Sequence, residues 1–452
     1  MEILQLIPGA GSMYCGNCLR DNALVAALRT LGHQVLMVPL YLPLTLDETD
    51  QSAGTPIFFS GINVYLDQKS AWFRRAPDWL HRLLQAPSLL KWAARRAGNT
   101  PARDLGPLTL SMLEGEAGNQ ARELDDLIGW LKTQPKPDAI FLSNALLLGM
   151  ARRLKTQLAR PVICMLQGED FFLDGLPEPH RGACWKALAE RSNDADLFIA
   201  PSRYFAELMQ RRLGLPPERV RVVYNGINLE GYTADGLTAL NRLQTGSSLT
   251  NPAKVGPVLG YLARMCREKG LDTLVDAFIT IQQRGRVAGL RLCVAGSLGP
   301  ADEPFVFSLQ KRLQAAGLEK SVEFRPNIDH ATKLALLKSF SVFSVPANYG
   351  EGFGLYVVEA LAAAVPVVQP RCAAFPELVE LTGGGVLYDP GSPEGLVEAI
   401  ENLLRDPKRA GALGAAGRSV VFEKFSAEAM ARNVAEAVKT MSLQNRLLSA
   451  SG

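Results

Sequence analysis

The sequence predicts an α/β protein built from two parallel-sheet domains. Short apolar runs alternate with apolar-periodic segments in both halves of the chain, as strands and helices alternate around parallel sheets. Glycine-rich turns stand where several of these strands would end and helices would begin. The 452 residues are too many for one hydrophobic core, so two or three domains are expected.

The composition is typical of a soluble globular protein. Apolar residues make up 47% of the chain, charged residues 21%, and the formal net charge of +3 gives no general case for a nucleic-acid partner. The sequence contains no run of eighteen apolar residues, so no transmembrane helix is expected. The first residues are typical of a strand rather than a signal peptide. Seven cysteines at scattered positions favour a reducing, cytoplasmic location over a disulfide framework.

The N-terminal domain is expected over residues 1–230. Its predicted strands lie at 2–8, 33–39, 139–143, 162–166, 197–200 and 220–223. A helical insertion at about 45–137 interrupts the alternation, and its last part, 111–132, is predicted as one amphipathic helix. After the last strand, the Asn225-Gly226 pair predicts a turn with positive φ.

Residues 69–103 of this insertion combine basic and aromatic side chains. They contain eight Lys or Arg against one acid, Asp78, with tryptophans and leucines at helical spacing. Such a segment can lie on an anionic membrane, at its inner face, or hold a lipid-linked acceptor. The alternative is an insertion packed on its own domain, which Pro77 and Pro87 favour because they break the helix into short pieces.

Cys15 and Cys18 form a C-x-x-C motif at the start of the first predicted helix, where a thiolate would be stabilised. A redox dithiol is one interpretation, and two small side chains lining a tight loop is the other. A zinc site would need a second ligand pair, and the sequence shows none with suitable spacing.

The second domain is expected over residues 257–424, after a polar, turn-rich linker at 231–256. A C-terminal segment, 425–452, is expected to cross back to the first domain as a helix. The predicted strands lie at 258–262, 292–295, 322–326, 342–346, 367–369 and 386–388. The predicted helices include 355–364, 393–404 and 426–447.

The most informative segment is 346–370, in which a glycine-rich turn joins a buried strand to a helix. The free N–H groups of a helix start favour an anion, and parallel sheets bind ligands at the carboxyl ends of their strands. Glu351 lies in the turn and Glu359 in the helix. A carboxylate beside a phosphate site is costly unless it meets hydroxyls or a cation. An ordinary turn with two solvated glutamates is the alternative for this segment taken alone.

The run from Glu351 to Glu359, EGFGLYVVE, resembles the paired-glutamate motif of the retaining glycosyltransferases of family 4. The resemblance implies a GT-B architecture: two Rossmann-like domains facing across a cleft, with a nucleotide-sugar donor in the C-terminal domain and an acceptor in the N-terminal one. Arg264 and Lys269 match the basic pair that this family directs at the donor diphosphate.

The same resemblance implies a role for each matching residue. Glu359 would bind the ribose hydroxyls and Glu351 the transferred sugar. Backbone N–H groups of the motif would assist at the sugar and phosphate, at Gly352, Phe353, Gly354 and Leu355. Looser matches assign Gly16 to the first loop, Gln167 to a position where many members have a histidine, and Asn327 to the nucleobase.

Two further observations concern short loops. Glu169 and Asp170, which follow Gln167, either bind the acceptor or cap the next segment. Ala373 and Ala374 stand in place of two glycines of a later loop.

We therefore expect a retaining hexosyltransferase that transfers a sugar to a glycan, lipid-linked or small-molecule hydroxyl. No cofactor and no metal are expected, because Arg264 and Lys269 can neutralise the leaving diphosphate. No motif places a nucleophilic carboxylate, so the sequence favours same-face substitution. A sugar-nucleotide epimerase of the same fold and a non-catalytic sugar- or nucleotide-binding module are the alternatives.

Overall fold

A computed structural model describes residues 1–9, 16–44, 48–59, 102–233 and 256–450. Cys15, nearly all of the basic segment 69–103 and nearly all of the predicted linker therefore lie outside the described residues. The chain divides into two compact units, Met1–Gly226 with Ala427–Gly452, and Ile227–Ser426. Among the described helices, none is long and apolar enough to cross a membrane.

The first unit contains a six-stranded parallel sheet. In chain order its strands are β1 (Glu2–Ile7), β2 (Gln34–Pro39), β3 (Ala139–Leu142), β4 (Val162–Met165), β5 (Leu197–Ala200) and β6 (Val220–Val222). The spatial order is β2-β1-β3-β4-β5-β6, and every neighbouring pair is parallel. β3, β4 and β5 are buried along their whole length, because helices cover both faces of the sheet.

Those helices divide between the two faces. They are α1 (Gly16–Thr30), α2 (Ala102–Glu114), α3 (Ala121–Leu131), α4 (Ala151–Leu158), α5 (Glu169–Asp174), α6 (His180–Arg191) and α7 (Arg203–Leu213). Ile3 and Ile7 face α1 and the last helix of the chain, Ala427–Ala450. Leu4 and Leu6 face the opposite layer, which includes α3, α4 and α7. The last helix thus completes the core of the first unit.

The prediction of one continuous helix over 111–132 is wrong. α2 ends at Glu114, a 3-10 turn occupies Gly115–Ala117, and α3 begins only at Ala121. Gly115 has a φ of +62°, and a Cβ on it would lie 1.9 Å from the carbonyl oxygen of Gly149. The helix therefore stops where the backbone passes against another segment, a contact that only glycine permits.

The second unit contains another six-stranded parallel sheet. Its strands are β7 (Val258–Leu262), β8 (Arg291–Gly296), β9 (Val322–Pro326), β10 (Val342–Phe343), β11 (Val367–Pro370) and β12 (Gly385–Tyr388). The spatial order is β12-β11-β10-β7-β8-β9. From the central pair, β7 and β10, the chain order runs outward in both directions. This reversal creates a crevice at the carboxyl ends of β7 and β10, where open α/β sheets bind their ligands.

The helices of this unit are α8 (Leu271–Arg284), α9 (Glu303–Ala315), α10 (His330–Ser339), α11 (Leu355–Ala362), α12 (Phe375–Thr382), α13 (Pro393–Arg405) and α14 (Pro407–Lys424); α15 is the last helix, Ala427–Ala450. Sequence periodicity missed α14, because its glycines weaken the helical signal. A Cβ on Gly414 would lie 2.0 Å from the carbonyl oxygen of Ala364, and one on Gly417 would lie 2.6 Å from Leu361. The glycines thus let α14 pack closely on α11, which begins in the glycine-rich turn.

Candidate functional site

Two loops meet at the carboxyl ends of β7 and β10. The first, 263–270, follows β7, and the second, 344–354, follows β10. Gly270, at the end of the first loop, has a φ of +68°, and a Cβ on it would lie 1.9 Å from the carbonyl oxygen of Pro346 in the second. Asn348 joins the loops by hydrogen bonds: its N–H donates to the Glu268 carbonyl (3.1 Å) and its side-chain amide to the Arg267 carbonyl (3.2 Å). Residues 81 positions apart are thereby brought together.

Lys269 and Glu351 form the centre of this site. Lys269 Nζ donates to Glu351 Oε2 at 2.5 Å, and the two side chains are only 18% and 15% exposed. The hydroxyls of Tyr356 (2.7 Å) and Tyr349 (3.0 Å) donate to the same oxygen. The ammonium also bonds to the Tyr349 hydroxyl and lies 4.9 and 5.0 Å from the Tyr349 and Tyr356 ring centroids.

These contacts determine the charge of Glu351. Burial alone would raise its pKa, but the charge of Lys269 and the hydrogen bonds from Lys269, Tyr356 and Tyr349 hold the pKa below its usual value. Burial, together with the nearby Glu351 charge, raises the pKa of the Tyr356 hydroxyl well above its usual value. At neutral pH Glu351 is therefore a carboxylate and Tyr356 a proton donor. All three donors bind Oε2, which leaves Oε1 for another partner.

Glu359, the second glutamate of the motif, is also paired with a lysine. Lys333 Nζ, from the first turn of α10, lies 2.7 Å from Glu359 Oε1, and the two side chains are 10% and 14% exposed. The alternative of an ordinary turn with two solvated glutamates is therefore wrong, because both carboxylates are mostly buried and each is paired with a cation.

Arg264 follows β7, and more than half of its side chain is exposed. Its Nε donates to Asp302 Oδ2 at 2.7 Å, and its side chain is 58% exposed while that of Asp302 is 13% exposed. The Tyr261 hydroxyl donates to the Arg264 carbonyl at 2.8 Å, which anchors the backbone at this position. Because Asp302 binds Nε, the two terminal nitrogens of the Arg264 guanidinium remain able to bind an anion.

The glycine-rich turn contributes backbone rather than side chains. Gly352, Phe353 and Gly354 are buried, and the Phe353 ring packs against Phe425 with centroids 6.1 Å apart. Gly354 has a φ of +94° and precedes α11, which begins at Leu355. The first N–H groups of a helix have no acceptor within it, so this helix start can bind an anion.

The loop 371–374 is hydrogen-bonded to the glycine-rich turn that precedes α11. Ala374 N–H donates to the Glu351 carbonyl at 3.2 Å. Ala373, which stands in place of a family glycine, has a φ of +53°. The alanine thus adopts the left-handed conformation that glycine normally supplies, at some cost in free energy.

Asn327 lies at the end of β9, but its side chain is already engaged. The amide accepts from Leu298 N–H (3.0 Å) and donates to the Leu298 carbonyl (3.1 Å), and its φ is +53°. The geometry therefore shows Asn327 holding the loop after β8, while its predicted nucleobase contact stays a prediction.

In the first unit, Gly16 is the first residue of α1 and Gln167 follows β4. The side-chain amides of Gln167 and Asn225 exchange hydrogen bonds of 3.4 and 3.2 Å. The predicted positive-φ turn at Asn225-Gly226 is wrong, since neither residue has positive φ. Asn225 is buried, and its side-chain amide is satisfied by the pair with Gln167. Cys18 is buried in α1.

Glu169 and Asp170 differ sharply in their surroundings. The Glu169 carboxylate accepts from the backbone N–H groups of Ala145 (2.7 Å), Gln167 (2.9 Å) and Gly168 (3.0 Å), none of which lies within α5, so its side chain does not cap the segment that follows. Asp170 is 8% exposed, and its Oδ1 has no hydrogen-bond partner within the described chain. Burial raises the pKa of Asp170 to about 6, against the opposing hydrogen bond from Phe171 N–H.

The chain contains an Asp-x-Asp triplet, Asp194 to Asp196, which the sequence reasoning overlooked. Both residues precede β5, at the amino edge of the sheet, and they form ion pairs with Arg152 (3.2 Å) and Lys155 (2.7 Å). Among the residues that the structure describes, no three His, Cys, Asp or Glu side chains are grouped to hold a metal.

Sequence reasoning missed four polar residues of the C-terminal site: Tyr349, Tyr356, Asp302 and Lys333. The two tyrosines are close to Glu351 in sequence, so the motif itself contained that signal. No local pattern points to Asp302 or Lys333, which lie on or beside other helices.

Comparisons with known proteins give matches in both halves of the chain. Residues 250–420 match the family model of the glycosyl transferases group 1, and residues 106–230 match that of glycosyltransferase family 4. This chain belongs to the group 1 glycosyltransferases. The resemblance inferred from the paired-glutamate motif is thereby confirmed.

Relatives of this glycosyltransferase cover different shares of its length. A GDP-mannose-dependent alpha-(1-6)-phosphatidylinositol monomannoside mannosyltransferase from Mycolicibacterium smegmatis is 28% identical over 65% of this chain and 72% of its own length. The Mycobacterium tuberculosis protein of the same name is 31% identical over 40% of this chain, a match that spans 46% of that protein. A D-inositol 3-phosphate glycosyltransferase from Corynebacterium glutamicum is 25% identical over about half of each chain, 50% and 52%.

Solved structures confirm the predicted GT-B fold of this glycosyltransferase. A sucrose-phosphate synthase from Thermosynechococcus elongatus superposes with a TM-score of 0.68 over 99% of both chains, at 22% identity. The Anabaena protein HepE, in complex with UDP and glucose, superposes with a TM-score of 0.66 over 97% of this chain and all of its own, at 18% identity.

Proposed function

We propose that this glycosyltransferase moves a hexose from a nucleoside diphosphate sugar to an acceptor hydroxyl with retention of anomeric configuration. The observation that carries the proposal is the contact between Lys269 and Glu351 at the start of α11. It places a cation, a carboxylate and a helix N-terminus together. A sugar diphosphate needs these same three groups, because it carries charge at one end and hydroxyls at the other.

Arg264, Lys269 and the N–H groups of the α11 start would bind the donor diphosphate. Negative charge on the diphosphate grows as the glycosidic bond breaks, so these groups stabilise the transition state more than the bound donor. Two cations and a helix N-terminus can supply this stabilisation without a divalent metal or other cofactor, which is part of the proposal.

The paired glutamates would bind the two hydroxyl-bearing ends of the donor. Glu351 is ionised at neutral pH, so its Oε1 can accept hydrogen bonds from the transferred sugar. Glu359 would accept from the ribose hydroxyls. Gly352–Leu355 would contribute backbone N–H groups, as the family motif implies.

Retention is proposed to proceed on one face of the sugar. The bond from the anomeric carbon to the diphosphate oxygen breaks, the acceptor oxygen bonds to that carbon on the same face, and the acceptor proton passes to the departing phosphate oxygen. A double displacement would need a carboxylate nucleophile instead. Glu169 is unsuited to that role, since three backbone N–H groups occupy its carboxylate.

Asp170 is the remaining candidate nucleophile, and its substitution tests the mechanism. Asp170→Asn should keep kcat within about tenfold of the unsubstituted chain if substitution is same-face. A loss of about ten-thousandfold or more in this variant, together with a glycosyl-enzyme trapped on Asp170 of the unsubstituted chain, would support double displacement instead.

The relatives suggest which substrates to test first. Two of those named above are GDP-mannose-dependent enzymes of phosphatidylinositol mannosides, and another acts on inositol phosphate. We propose an acceptor of the same general kind, a polyol, glycan or lipid-linked sugar, bound in the N-terminal unit near Gly16 and Gln167. Residues 69–103 would bring the protein to an anionic membrane if the acceptor is lipid-linked.

The test is incubation of the full chain with GDP-, UDP- and ADP-sugars, with and without acceptors, in the presence of chelator. The expected result is acceptor-dependent transfer whose first product retains the donor's anomeric configuration by NMR. Acceptor-free isomerisation would indicate an epimerase, and binding without turnover would indicate a binding module. Activity that disappears with chelator and returns with manganese would contradict the metal-free proposal alone.

A further inference from the structure

Lys333 occupies an unfavourable position for a lysine. Its side chain is 10% exposed, although lysine is rarely buried, and it lies in the first turn of α10. A cation near a helix N-terminus opposes the helix dipole, and α10 already has a proper cap: the Asp329 side chain accepts from Thr332 N–H at 2.7 Å. The helix therefore gains nothing from this lysine, whereas its ion pair with Glu359 offsets part of the cost of burying it.

The pair leaves Glu359 with one committed and one available oxygen. Lys333 Nζ binds Oε1 at 2.7 Å. Within the described part of the chain, Glu359 Oε2 has no hydrogen-bond partner. Glu351 shows the same division, because Lys269 and both tyrosines bind its Oε2 and leave its Oε1. Each carboxylate of the motif is thus held by a lysine from another element, and its second oxygen is available to a ligand.

We propose that Lys333 is a positioning residue that orients Glu359 toward the ribose and thereby sets the preference of this site for ribonucleoside over 2′-deoxyribonucleoside diphosphates. This inference rests on the proposed function, which assigns Glu359 to the ribose hydroxyls. A carboxylate held in one orientation loses little entropy when it accepts a hydrogen bond. A ligand that lacks the hydroxyl leaves the carboxylate oxygen unpaired, so such a site rejects it strongly.

The experiment is isothermal titration of the full chain with UDP, GDP and ADP and with their 2′-deoxy counterparts. The measured quantity is the ratio of the two dissociation constants for the base that binds. For the unsubstituted chain we expect the ribonucleotide to bind about tenfold or more tightly, the value of one hydrogen bond to a charged group. Glu359→Gln and Lys333→Met should both reduce this ratio to about threefold or less, and the double variant should reduce it no further.

Lys338→Met is the matched control. Lys338 lies on the same helix, and its Nζ donates to the Gly231 carbonyl at 2.7 Å instead of contacting Glu359. This variant should keep the full ribonucleotide preference even if overall affinity falls. If Lys333→Met does not fold, Lys333→Leu also removes the ammonium and its hydrogen bond to Glu359 and is read in the same way.

The outcomes separate this inference from the proposed function. If the unsubstituted chain prefers the ribonucleotide and Lys333→Met retains that preference, Lys333 has no positioning role, whatever happens to overall affinity. If the unsubstituted chain binds both forms equally or binds neither, the assignment of Glu359 to ribose is wrong and the inference is overturned with it.

Discussion

Lys269→Met should destabilise the C-terminal unit far more than Glu351→Gln, although each substitution removes the same ion pair. Without Lys269, a carboxylate that is only 15% exposed keeps two tyrosine hydroxyls but no cation. Without the Glu351 charge, the Lys269 ammonium still lies about 5 Å from two aromatic rings, a favourable place for a cation.

The magnitudes follow from the burial of the pair. Removing one partner of a buried ion pair costs about 3–5 kcal/mol, and the remaining tyrosine hydroxyls place Lys269→Met near the low end, about 3 kcal/mol. Glu351→Gln keeps an acceptor for the tyrosines and should cost about 1 kcal/mol. The double variant leaves no unpaired charge, so it should be more stable than Lys269→Met alone.

The difference should also depend on pH. In the unsubstituted chain the folded-state pKa of Glu351 is lowered, so its stabilising contribution is present above the unfolded-state pKa and is lost as pH falls through the folded one. In Lys269→Met burial is no longer offset and that pKa should rise above the unfolded value. The penalty of the substitution should then be largest at about pH 8 and shrink toward about pH 4.

The assay must report on the C-terminal unit. All five tryptophans, Trp72, Trp79, Trp92, Trp130 and Trp185, precede it, so tryptophan fluorescence is unsuitable. Urea unfolding followed by far-UV circular dichroism, with hydrogen exchange of peptides covering 256–296 and 342–362, measures the relevant free energy. Equal destabilisation by the two single variants at about pH 8, or a pH-independent difference, would refute the reasoning.

Three further predictions concern donor binding, a strained loop and the insertion. Glu359→Ala should weaken donor binding by about 1–3 kcal/mol in titration calorimetry, whereas Arg264→Ala should lower kcat more than it raises KM, because leaving-group charge grows toward the transition state; the reverse pattern would exchange the two roles. Ala373→Gly should raise the free energy of unfolding by about 0.5–1 kcal/mol, since glycine adopts its φ of +53° without strain, and a clear loss in urea unfolding would contradict this. The protein should co-sediment with anionic liposomes at low salt and be released at high salt, and binding should disappear, without unfolding, when glutamate replaces Arg74, Arg75, Arg95 and Arg96. No liposome binding at low salt would leave the packed-insertion interpretation.

The local sequence was sufficient for most of the fold and for the position of the candidate site. Strand and helix positions in both units followed from apolar periodicity, because fully buried parallel strands are continuous apolar runs. The turn before Leu355 was readable because glycines, a helix start and two glutamates are neighbours in sequence. Arg264 and Lys269 were found through the family resemblance, because they match its basic pair within one loop.

Tertiary packing decided where periodicity failed. The predicted helix at 111–132 is broken at Gly115 because that backbone touches Gly149, and α14 forms despite its glycines because Gly414 and Gly417 allow contact with the segment 361–364. In both places a contact distant in sequence outweighs local propensity, which amounts to only about 1 kcal/mol per glycine.

The pairing of charges at the site was decided in the same way. The sequence determined that Glu351 lies just before a helix start and Glu359 within that helix, and their chemistry required hydroxyls or cations nearby. Only the fold determined that Lys269 pairs with Glu351, because the close contact at Gly270 holds their two loops together. Likewise, only the fold determined that Lys333 of α10 pairs with Glu359. The physical reason is that an ion pair depends on distance and burial in three dimensions, and residues 82 and 26 positions apart carry no local signal of either.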